Sequence, residues 1–214
     1  MWVAYRVAVR QLNLYHEGRR LDNSCRKVAE CQGRKETIEH IFWECSCARA
    51  TWQLVIAQWT EDVGRHLQAH CASRRSPPLS ASTRKRIQRI HPDEEQQYVA
   101  EWKRIWRILA SVCLTSLWIQ RNRVVFQHDE VTKESSAEES WATAIRQLHA
   151  LAKRERSKPD KQEQGIRLLL SLRVLEDRSR EHPPSGTSPV QSPDQSKAPA
   201  LLTRLRQFQT SSSL

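Results

Sequence analysis

Cys25, Cys31, His40 and Cys45 form the pattern C-x5-C-x8-H-x4-C. Three soft thiolates and one imidazole make a closed tetrahedral set for zinc, of the structural type, with no position left open for a substrate. The first two ligands fall on a loop, the last two on and just beyond a short helix. His40 and Cys45 are five positions apart, so the helix must loosen or end between them to aim both at one ion. A usual knuckle has about two or three residues between its first cysteines; this chain has five. The bare spacing is met equally by reduced cysteines in a core. Cys47 is the nearest spare thiol should Cys25 not reach. His66 and His70, beside Cys71, suit the end of a helix better than a second metal site.

The elements that must position these residues read as helices. Trp2, Tyr5, Val9 and Leu12 share a stripe that Gly18 ends, which favours a folded first helix over a transit peptide. Thr37 can cap a helix whose face is Ile38, Ile41, Phe42 and Cys45, and Ala48, Trp52, Val55, Trp59 and Val63 continue the pattern. Phe42, Trp52 and Trp59 are read as core, whereas Trp43 falls off the stripe and is either a stacking residue or a ring covered by neighbours. Asp93, Glu94 and Glu95 suit the start of a long helix that runs to about Arg123 through Val99, Trp102, Trp106, Leu109, Val112, Ser116 and Leu117. Its apolar stretch ILASVCLTSLWI is well short of the ~20 residues of a membrane span, so no membrane segment is expected. Ser136 and Glu139 fit a capping box before a helix with Trp141, Ile145, Leu148 and Ala152 inward. Leu168, Leu172 and Leu175 suggest one more.

The expected fold is mainly α: a small zinc-knuckle-like helical domain, a helical bundle region and a disordered C-terminal tail. The segments are 1–71 for the knuckle domain, 72–92 for a basic, Pro-containing linker, 93–156 for a helical region, 157–181 for a charged helix and 182–214 for a Pro/Ser-rich tail. With 35 Lys+Arg against 24 Asp+Glu, the net charge of +11 favours a polyanionic partner through counterion release. Candidate phosphate contacts are Arg74, Arg75, Arg84, Lys85, Arg86 and Arg89 in the linker, and Arg26, Lys27, Arg34 and Lys35 around the knuckle. A solvated linker flank explains the first group about as well, because no aromatic is interleaved to stack bases. The clustered cysteines do not resemble a secreted disulfide framework, so a reducing, intracellular setting, nuclear or cytoplasmic, is expected. The acids cluster as Asp93-Glu94-Glu95 and Glu138-Glu139, in helix-capping positions, and with no Walker loop or nucleophile elbow no enzymatic activity is expected.

Glu36-Thr37, His40, Phe42, Cys45, Ala48 and Trp52 together resemble the zinc-binding domain downstream of reverse transcriptase in non-LTR retrotransposon polyproteins. That pattern is two cysteines followed by E-T-x-x-H-x-F-x-x-C-x-x-A-x-x-x-W. Trp118, Arg121, Asn122 and Phe126 resemble the W-x-x-R-N-x-x-x-F segment that often follows, so the resemblance covers roughly residues 1–128. It implies ligand roles for Cys31, His40 and Cys45, a structural zinc ion, a template RNA or DNA as partner, and a neighbouring reverse transcriptase domain. Arg121 and Asn122, read by themselves, suit either contact with a phosphate and a base edge or a bond across the helix pair, and the stripe Trp118, Asn122, Phe126 favours the second. A helical protein-binding scaffold, or a decayed fragment without activity of its own, is the alternative.

Overall fold

The computed structural model describes Leu12, Leu14 and residues 24–31, 33–60 and 79–181. Within them the chain is mainly helical. The only pairing of extended backbone there is an isolated antiparallel bridge between Ser24 and Lys35. The first stripe apart from Leu12, and Val63, His66, His70, Cys71, Arg74, Arg75 and the tail from 182, lie outside the described residues. Every described residue belongs to one compact unit, Met1–His182; the second, Pro183–Leu214, contains none of them.

A 3-10 turn at Ala29–Cys31 and a π-helical turn at His40–Glu44 precede α1, Ser46–Thr60. Then come α2 (Ala81–Ile90), a 3-10 turn at Pro92–Glu94, α3 (Glu95–Gln127), α4 (Lys133–Arg156), a 3-10 turn at Pro159–Lys161 and α5 (Gln162–Glu181). Helix α2 corrects the expected linker: residues 81–90 are wound, and the Ser80 hydroxyl caps them by accepting from the Thr83 N–H at 3.1 Å. At 33 residues α3 is about 50 Å long by helical rise. His128, in the left-handed region at φ 57°, terminates it.

Helix α4 is the centre of the packing, with α1, α3 and α5 all against it. Its buried face consists of Ser136, Ala137, Ser140, Ala144, Leu148, Ala152 and Glu155, five of the seven small, so three neighbours can approach its backbone closely. Trp141 and Ile145, expected inward, are half-buried on the flanks. The capping box also lies elsewhere than expected. Thr132 caps α4 reciprocally with Ser135, and Ser136 is buried within the first turn. The bulk that α4 lacks comes from rings on its neighbours. Trp59 of α1 meets Trp102 and Trp106 of α3 at 5.0 and 5.2 Å between ring centroids. Leu168, Leu172 and Leu175 of α5 are fully buried. Arg104 of α3 ties α3 to α4 by bonding both Glu101 and Glu155.

Candidate metal centre

The loop that carries the first two cysteines is a miniature hairpin. The Cys25 N–H donates to the Arg34 carbonyl at 2.8 Å beside the Ser24–Lys35 bridge, and Gly33 turns the chain at φ 79°, a left-handed conformation that suits glycine. The extra residues between Cys25 and Cys31 are taken up by the 3-10 turn. Within it the Cys31 N–H reaches the Val28 carbonyl at 3.0 Å, which folds Cys31 back toward Cys25.

The second pair is set by a cap and a change of pitch. The Thr37 hydroxyl accepts from the His40 N–H at 3.0 Å, starting the helix where expected. The chain then loosens into a π turn, in which the Cys45 N–H bonds the His40 carbonyl five residues back at 2.7 Å. This wider turn brings His40 and Cys45 onto one side. Cys45 ends it in an extended conformation, and its carbonyl accepts the first bond of α1 from the Arg49 N–H at 2.9 Å. The indole N–H of Trp52, one turn and a half into α1, satisfies the Phe42 carbonyl in the π turn at 2.7 Å. Trp43 is half-buried and stacks on Trp52 at 5.0 Å, a ring covered by its neighbour.

Cys25, Cys31, His40 and Cys45 are all buried, and their ligand atoms lie within 4.8 Å of one another. They are close enough to hold a metal ion. Cys31 Sγ and Cys45 Sγ stand 3.7 Å apart. The His40 Nδ1 is 4.0 Å from a Glu44 carboxylate oxygen, while its Nε2 is buried with no hydrogen-bond partner. A buried ring nitrogen without a partner is costly, and a metal bond is one way to satisfy it. Cys47 lies outside the set, with its Sγ 3.7 Å from the Thr132 carbonyl.

The sulfurs cannot all carry charge among themselves. Hydrogen bonds from the Cys25 and Cys47 thiols hold the Cys45 thiol well below the usual range, and the Lys27 ammonium adds to this against the opposing effect of burial. Cys25 and Cys47 are raised in return, first by those same bonds to Cys45 and then by burial.

Lys27 is the main correction to the expected basic surface. Its side chain is buried, with Nζ at 2.9 Å from Gln120 Oε1 and 3.5 Å from Ser136 Oγ. Burial lowers its pKa, and nearby Cys47, Cys45 and Cys25 oppose that shift. It cannot meet a phosphate from there. Nothing in the local sequence separates it from Arg26, which is exposed.

Arg34 and Lys35 are also exposed, as are Arg84, Lys85 and Arg89 on α2, with Arg86 half-buried. These cations fall into two groups. The knuckle meets α3 at Gln120 and Arg121, whereas α2 meets it at Glu95 through Gln88, and His91 just after α2 meets it at Tyr98. At about 1.5 Å per residue the two attachment points are on the order of 30 Å apart. Arg121 is 3% exposed and gives Glu36 two hydrogen bonds, at 2.6 and 3.2 Å, so it bonds across elements inside the fold. Compared with family models, curated proteins and solved structures, the chain matches none.

Proposed function

We propose that this chain is a zinc-stabilised helical module that binds RNA or DNA through phosphate contacts with little sequence selectivity. The observation that carries the metal reading is the buried Cys25–Cys31–His40–Cys45 set with its unbonded His40 Nε2. Zinc suits it on chemistry and size. Zn–S bonds of ~2.3 Å give a tetrahedral edge of about 3.8 Å, and the Cys31–Cys45 sulfur separation is 3.7 Å. Such an ion would supply a closed structural staple and no reactive position. Three thiolates around a divalent ion leave one negative charge, and Lys27 is placed to offset it.

Support for the nucleic-acid reading comes from the net charge of +11 and from the exposed cations on α2 and beside the knuckle. The resemblance to the zinc-binding region of retroelement polyproteins gains support from Glu36 and Arg121. They belong to the two separate motifs that carry it, and they bond each other. A template strand is the partner this reading names, and a reverse transcriptase domain the neighbour.

Two measurements test it. Protein purified without added metal should carry about one equivalent of zinc and lose it on Cys45→Ser; less than about a tenth of an equivalent in the wild type would leave a plain cysteine core. RNA binding should weaken linearly on a log–log salt plot, and replacing Arg84, Lys85 and Arg89 by alanine should lower the slope by up to about three. The second reading, a protein-binding scaffold, is favoured by Ile119 and Phe126 on α3, which are 49% and 57% exposed. No nucleic-acid binding at low salt would leave that one standing.

A further inference from the structure

A cavity of about 240 Å³ lies between α2, α3 and α5. Its walls are Ile87 of α2, Tyr98 and Trp102 of α3, and Leu170 and Val174 of α5. Drug-sized ligands need ~300–1,000 Å³, so this space suits a single ring system.

The mouth is cationic. Arg86 comes from α2 and Arg173 from α5, and His91 is stacked on Tyr98 at 4.2 Å. Asp177, the one acid in the lining, stands 3.9 Å from Arg86 with both side chains over 40% exposed. Such a loose, solvated pair gives way readily to a phosphate. Deeper in, Ser171 is 2% exposed and its hydroxyl has no hydrogen-bond partner. A buried hydroxyl in that state is uncommon in folded proteins, and a polar edge arriving in the cavity would satisfy it.

We propose that this cavity takes one unstacked nucleobase from a single strand whose phosphates lie along Arg84, Lys85, Arg86 and Arg89. The proposal rests on the nucleic-acid reading above and narrows it to single strands. Sequence-tolerant binding of single strands needs a charged track and aromatic surface together. The basic run of α2 has the charge without the rings. Packing against α3 lines the space directly behind it with the buried rings of Tyr98 and Trp102, puts the half-buried His91 ring over Tyr98 as the face a base can reach, and Ser171 offers a hydrogen bond to a base edge. The shared chemistry is a planar heteroaromatic ring with an anion beside it, which a free nucleotide also has.

The test is fluorescence anisotropy on the full chain at low salt. The probes are a labelled uridine homopolymer, a strand of equal length with abasic central positions, and a duplex of that length. The base-bearing strand should bind at least roughly fivefold more tightly than the abasic strand, the effect of one stacked base, and more tightly than the duplex. Val174→Phe, which fills the cavity, should remove that preference. The wild-type comparison stands even where the variant fails to fold. Equal affinity for base-bearing and abasic strands overturns the pocket and spares the phosphate reading. Binding of no probe overturns both. Competition by free mononucleotide at concentrations comparable to the strand overturns the strand assignment.

Discussion

Arg121 gives hydrogen bonds to Glu36, to the Leu14 carbonyl at 3.1 Å and to Asn122 at 3.0 Å, and its guanidinium lies 5.2 Å from the Trp118 ring centroid. A fork held on this many sides cannot relax when its carboxylate partner is removed. Arg121→Met should cost about 3–5 kcal/mol, because it takes a two-bond cationic partner from the buried Glu36 carboxylate. The double substitution Arg121→Met with Glu36→Gln should cost less than the sum of the single ones; strict additivity in denaturant melts would show that the two groups act independently. Cys113 makes a different demand, for neutrality. Burial pushes its thiol up to about 12 from an ordinary 9.0. Below 9 the folded and unfolded chains both hold the proton, so its contribution to stability is complete. Between 9 and 12 only the folded chain holds it, and stability falls as pH rises. Cys113→Ala should flatten the alkaline fall by up to ~1.4 kcal/mol per pH unit. Equal slopes for wild type and variant would place Cys113 in a more polar setting than the fold gives it.

At the scale of elements, helices pack here because the chain alternates small and large faces. The α4–α5 hairpin depends on this at Gly165, where an added Cβ would lie 2.6 Å from the Arg156 amide nitrogen and 2.9 Å from the Ala152 carbonyl oxygen. Those are backbone atoms, so α5 as a whole would have to move. Gly165→Ala gains roughly 1 kcal/mol in helix propensity but should lose more, about 1–3 kcal/mol net, to overpacking. A thermal melt above the wild-type midpoint would contradict the close approach. The π turn at His40–Glu44 is the corresponding device in the metal region. It converts a five-residue spacing, awkward for one helical face, into two candidate ligand side chains on one side.

Across the whole molecule, the knuckle and the bundle are joined by polar bonds over long sequence separations. Lys27 reaches Gln120, and Arg121 reaches Glu36. Loss of a structural ion from the Cys25–Cys45 region should therefore lower the melting of the bundle as well as of the loop. Free zinc at a thousand times its Kd stabilises by about 4 kcal/mol, so chelation should lower the midpoint by ~10 °C for a domain of this size. An unchanged single transition in the chelator would count against a metal staple.

Local spacing made the mainly helical class, the Thr37 cap, the inner faces of α3 and α5 and the need for a loosened turn after His40 legible in the sequence. Each depends on residues a few positions apart, where helical period and capping chemistry act directly. The capping of α4 at Thr132 and the winding of 81–90 were equally local in cause, but their signals competed with a second Ser–Glu pair and with the proline-rich flank before them. What only the tertiary structure decided was which way charged and aromatic side chains face. Cys25 comes within 4.8 Å of the other three candidate ligands because a 3-10 turn folds the long loop back. Lys27 turns inward to a glutamine far along the chain, Arg121 finds its carboxylate in the knuckle, and rings from α3 line the space behind the basic helix. Those outcomes depend on desolvation and pairing between distant elements, which no window of the sequence contains.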